Sequence, residues 1–83
     1  MRTESIPILL SHLKQGDRAV VVELNNSDVS LKLMEFGILP GEEIEVEYVA
    51  PFGDPISYKL SHFILALRKA EAQQVRVKKI DEK

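Results

Sequence analysis

The chain has no cysteine among its 83 residues. That excludes disulfides and thiolate metal sites, leaves packing alone to hold the domain, and fits a reducing cytoplasm. Histidine is nearly as scarce, with only His12 and His62. Charge of one sign is not in excess: thirteen acidic against eleven basic residues give a net charge of −2. No positive field of the kind that gathers nucleic acid is built, so a DNA or RNA partner is disfavoured. No apolar run approaches the length that crosses a bilayer. The one apolar cluster near the N-terminus, Ile8-Leu9-Leu10, is bracketed by Pro7 and His12, so export is not expected. Eighty-three residues cannot make two cores, and one domain over residues 1–83, with its core over about 7–78, is expected.

What is present is a set of short elements with clear punctuation. Leu9, Leu10 and Leu13 have helical spacing, which predicts a short N-terminal helix ended by Gly16-Asp17. Arg18 to Leu24 is rich in β-branched residues and reads as a strand stopped by Asn25-Asn26. Ser27 or Asp28 can cap a helix whose stripe is Val29, Leu31, Leu33, Met34 and Phe36, and which Gly37 closes. After Pro40-Gly41, residues 43–49 alternate with period two. Ile44, Val46 and Tyr48 are expected inward, and Glu43, Glu45 and Glu47 in water. A turn over Phe52 to Pro55 returns the chain through Ile56, Tyr58 and Leu60 as a hairpin. A strand from Phe63, a short helix from Lys69 and a last strand over 75–78 follow, with a frayed end from Lys79. About five mostly antiparallel strands, one inserted helix and a short N-terminal helix make a mainly β chain and a small SH3-like barrel, closed by its first and last strands.

Three punctuated segments carry a resemblance. They are Met-Glu-Phe-Gly-Ile-Leu-Pro-Gly at 34–41, Ala-Pro-Phe-Gly-Asp-Pro-Ile at 50–56 and Leu-Ala-Leu-Arg-Lys-Ala-Glu-Ala at 65–72. In this order and spacing the chain resembles the FeoA family, small cytoplasmic domains that accompany ferrous iron transport and recur at the end of iron-dependent repressors. The resemblance covers roughly residues 7 to 78 and implies the same barrel with the same helix. The chain departs from the family pattern at Ser61-His62, where a Gly usually joins two strands, and in the helix, where a basic pair is reduced to Lys32.

Candidate chemistry is thin. Ferrous iron favours imidazole with carboxylate, but His12 and His62 are far apart and neither has a metal-binding spacing around it, so only weak iron binding is expected. Glu43, Glu45 and Glu47 on one strand face lie about 7 Å apart in succession, too far to share an ion unaided. They read as a solvated face offset across the sheet by Lys59, Arg68, Arg76 or Lys78. No serine stands in a nucleophile elbow and no glycine run cradles phosphate, so no enzyme activity and no cofactor are expected. Phe36, Tyr48, Tyr58 and Phe63 fall on apolar faces and read as core; Phe52, at a hairpin tip between Pro51 and Gly53, does not. So small a core cannot bury every apolar loop residue, and Ile38, Leu39, Phe52 and Asp54 are the candidate partner-binding residues.

The resemblance implies an accessory protein that docks on the cytoplasmic part of a FeoB-type transporter. The alternative is a stand-alone regulatory barrel related to the repressor domain, acting through a DNA-binding partner because this chain has no helix-turn-helix of its own. Weak self-association is also allowed; nucleic acid and direct membrane insertion are not expected.

Overall fold

The hydrogen-bonded frame is a single antiparallel sheet that curls on itself, seen in a computed structural model that describes residues 2–81. Its strands are β1 (Arg2–Thr3), β2 (Ile8–Leu9), β3 (Arg18–Leu24), β4 (Glu43–Val49), β5 (Ile56–Lys59), β6 (Ile64–Leu67) and β7 (Val75–Asp81). The order is β1-β7-β3-β4-β5-β6, with β2 also on β7. Pairing of β3 with β7 joins the first long strand to the last, as expected from the sequence. Helix α1 (Asp28–Glu35) is inserted between β3 and β4, and α2 (Lys69–Ala72) between β6 and β7.

Local chemistry explains the element ends. Ser27 caps α1: its hydroxyl accepts the Ser30 amide at 3.0 Å. Gly37, at φ +106°, ends the helix, and Ile38 N–H donates to the Leu33 carbonyl at 3.1 Å. Gly41, at φ +95°, turns the chain into β4, its N–H donating to Val21 of β3 at 2.8 Å. Glu71 accepts the Arg68 amide at 2.7 Å, closing the first turn of α2. Inside the sheet pack Leu10, Leu13, Val21, Leu33, Ile38, Ile44, Val46, Ile56, Tyr58, Leu60, Leu67, Val75 and Val77.

Four expectations are corrected. The N-terminal helix is a two-residue strand, β2, running into a single 3₁₀ turn over Leu10–His12. Ile8 and Leu9 take backbone partners in β7 that a lone helical turn could not offer, while Leu10 and Leu13 still reach the core. The sheet has seven strands rather than five, because β1 and β2 each pair only two residues with β7, too few to show a period. The last strand does not fray at Lys79: it runs to Asp81, pairs with Arg2 and Thr3, and buries Ile80. Residues 82–83 of the expected frayed end lie outside the described residues. Finally, Tyr48 is half-exposed rather than inward. The β4–β5 register shifts between Val46 and Tyr48, so a bulge at Glu47 reverses the alternation, and Val49 takes the inward position instead.

Candidate functional site

A docking surface has to be built from residues that the fold holds in place but does not bury. The hairpin between β4 and β5 is a candidate. Gly53 N–H closes its turn on the Ala50 carbonyl at 2.7 Å, with Gly53 at φ +87°, and Ala50 N–H donates to the Pro55 carbonyl at 3.1 Å. Asp54 then ties the tip down, its carboxylate accepting the Lys69 amide at the start of α2 at 2.9 Å. On this fixed turn Phe52 is 100% exposed. The braced turn holds this ring in water with no burial of its own, which leaves its whole apolar surface open to contact.

The four candidate residues therefore separate. Phe52 projects from the tip, and Asp54 braces it. Leu39, in the α1–β4 turn, is 44% exposed. Ile38 is 0% exposed and belongs to the core, so it cannot touch a partner. The helix-closing bond from its amide to Leu33 turns its side chain inward. Phe52 and Leu39 sit on different supports, the first braced against α2 and the second on the turn bonded to β3.

A second apolar surface was not foreseen. Between α1 and β6 runs a groove of about 310 Å³ with Val29, Phe36, Leu65 and Leu67 in its walls and Asp28, Lys32 and Glu71 beside them. Phe36 and Phe63, expected in the core, are both partly exposed. The warning was in the spacing: Val29 and Leu31 are about 200° apart on a helix, so a stripe that includes both cannot face inward throughout. Leu33 and Ser30 are the residues that α1 buries.

The charged groups form exposed pairs. Arg18 Nε donates to Glu43 at 2.9 Å, a partner absent from the expected set. Lys59 stands opposite Glu45 across the β4–β5 ladder, as expected, whereas Arg76 pairs instead with Glu23 at 3.5 Å. Lys79 lies 3.6 Å from Asp17. Such pairs are worth at most about 1 kcal/mol each. Burial, with a smaller contribution from the Asp54 carboxylate, pushes the Tyr58 phenol well above its ordinary pKa, which keeps it neutral. His12 and His62 are both exposed. Among the described residues no group of three or more His, Asp or Glu could hold a metal ion. The site's resources are shape and apolar contact.

The FeoA domain profile matches residues 8–79. An Fe(2+) transport protein A/Fe(2+) transporter FeoB fusion protein of Porphyromonas gingivalis is 35% identical over 72 residues. The match takes in 86% of this chain, which spans 8% of that relative's length. The solution structure of a FeoA-like protein from Clostridium acetobutylicum superposes with a TM-score of 0.87 at 34% identity, over 100% of this chain and 94% of that one. A Stenotrophomonas maltophilia FeoA, described as an SH3 domain protein and solved with zinc, gives 0.76 at 31% identity, over 84% of this chain and 88% of its own. The antiparallel barrel, the helix after its first long strand and the match along nearly its whole length agree: the chain belongs to the FeoA domain family.

Proposed function

We propose that the protein is an accessory of ferrous iron transport that acts by docking on the cytoplasmic part of a FeoB-type transporter, with Phe52 as the anchor and Leu39 as a second contact. The observation that carries this reading is the braced hairpin tip with its fully exposed ring. The fusion relative supports the choice of partner, because there an FeoA-like segment and the transporter share one chain. Asp54 contributes indirectly, by holding the tip. The chain works in the cytoplasm, and its effect on transport passes through protein contact rather than through catalysis or a bound cofactor.

The test is binding of the whole chain to the isolated cytoplasmic part of the transporter, with Phe52→Ala and Leu39→Ala compared to the parent. A buried aromatic anchor commonly carries about 2 kcal/mol or more, so Phe52→Ala should weaken association about thirtyfold. Its melting temperature and circular dichroism should not change, since the ring makes no core contact. Undiminished binding in both variants would move the interface elsewhere. Recovery of a DNA-binding repressor, and no transporter, in a pull-down from cytosol and membranes would favour the regulatory reading instead.

A further inference from the structure

Strand β6 ends the sheet path, with β5 on one side and no strand on the other among the described residues. Across the Ser61-His62 turn, Leu60 N–H donates to the Phe63 carbonyl at 2.9 Å, which makes Leu60 and Phe63 a hydrogen-bonded pair. Antiparallel ladders alternate from there. Leu65 opposite Tyr58 and Leu67 opposite Ile56 are bonded pairs; Ile64 opposite Lys59 and Ala66 opposite Ser57 are not. The N–H and C=O groups of Ile64 and Ala66 therefore point to the open side. No other backbone or side-chain group among the described residues bonds them. Exposed edges are usually blunted by charge, proline or a bulge, or covered by a helix or loop. β6 reads Ile-Leu-Ala-Leu and has no charge, proline or bulge. Helix α1 faces Leu65, Ala66 and Leu67 only across the groove described above, so the edge is flanked but not sealed, and Ile64 is 58% exposed.

We propose that β6 pairs antiparallel with β6 of a second copy, about a two-fold axis through Leu65. In this register Ile64 of one copy faces Ala66 of the other, and each exchanges N–H···O=C bonds with its partner in both directions. The open donors and acceptors thereby match one for one. Leu65 faces its own counterpart, and Phe63 faces Leu67. Only registers of this parity keep the inner faces of both strands on the same side, because residues directly opposite each other share a face. The occupant is a second copy because the strand is self-complementary: every opposed pair is apolar and no like charges meet. The opposite edge does not share this property, since β1 carries the exposed Arg2. A four-residue strand makes a small interface, so the dimer is weak, with a dissociation constant of about 10 μM to 1 mM.

Sedimentation velocity of the whole chain from a few micromolar to about 1 mM reads this directly. The parent should shift from monomer to dimer with concentration. Ala66→Pro removes an outward N–H while sparing the ladder to β5, and Ile64→Lys places a charge on the exposed edge. Each should weaken dimerisation at least tenfold, while Ile6→Lys, a charge added at an exposed site away from β6, should leave it unchanged. Amide spectra identify any variant that fails to fold, and if Ala66→Pro is one, Ile64→Lys decides. A parent that stays monomeric to 1 mM, an Ile64→Lys chain that dimerises like the parent, or equal weakening by Ile6→Lys would overturn the proposal.

Discussion

The Tyr58 side chain is fully buried in β5, and its hydroxyl has no hydrogen-bond partner among the described residues. Replacing Tyr58 with Phe keeps the ring and removes only that oxygen. A buried hydroxyl without a partner costs about 1 to 3 kcal/mol in desolvation, while the smaller side chain leaves a gap of one oxygen atom that returns part of the gain. The net expectation is stabilisation by about 1 kcal/mol, which for a domain of this size raises the melting temperature by about 4 to 8 °C. Alkaline pH sharpens the test. The folded-state pKa of Tyr58 is raised, so its contribution to stability is fully present below the unfolded value of about 10 and is lost as pH rises beyond it, because only the unfolded chain then ionises. The parent should lose up to about 1.4 kcal/mol per pH unit there from this one group, and Tyr58→Phe should lack that component. Urea denaturation of both proteins between pH 7 and 11 measures the two effects together. If Tyr58→Phe is destabilised by about 1 kcal/mol at pH 7, the hydroxyl has a partner, such as an ordered water, and the reasoning fails.

Gly41 sits at φ +95° with no atom within 4 Å of where a Cβ would stand, so Gly41→Val should cost about 1 to 3 kcal/mol from backbone strain alone, and Gly41→Asn clearly less. Equal denaturation midpoints for the two variants would show that strain is not the cause. Ile38→Ala should cost about 2 to 4 kcal/mol of stability, as expected of a fully buried side chain, and leave transporter binding intact in whatever fraction stays folded. Specific loss of binding at full stability would return Ile38 to the interface. Anaerobic calorimetry should find no ferrous iron site tighter than about micromolar in the isolated chain. A stoichiometric tight site lost on His12→Ala or His62→Ala would refute this.

Where residues speak through local chemistry, the fold was legible in the sequence. The β-branched run of β3, the Ser27 cap, the closing Gly37, the Gly41 turn and the alternation from Glu43 to Val46 all lie where the pattern puts them. What failed depended on partners distant in the chain. A bulge is set by the strand opposite, so nothing in residues 43–49 announced that Tyr48 would turn outward. Leu9 and Leu10 fit a helix equally well until β7 is known to lie alongside. Phe36 and Phe63 looked like core because apolar side chains on small domains are assigned inward by default, although this core holds one aromatic ring, that of Tyr58. At the candidate site, the exposed Phe52 was readable from its Pro and Gly neighbours. The inward turn of Ile38 was not, since it follows from a helix-closing bond whose direction sequence spacing does not convey.

The pairing of β7 has a temporal consequence. This one strand completes β1, β2 and β3 at once, and its partners in β3 run from Ala19 opposite Lys79 to Leu24 opposite Val75. Most of the barrel's closing bonds therefore wait for the last strand to be synthesised. As a ribosome makes the chain, β3 emerges early and has only β4 to pair with until residues 75–81 clear the exit tunnel. Long loops must close before these contacts repay the entropy, which places the domain among slower folders, on the scale of milliseconds to seconds. During that interval Val21 can already bond to Gly41 and Glu42, but the other side of β3, with Val20 opposite the missing Lys78, stays open, the stretch of the nascent chain most in need of a chaperone.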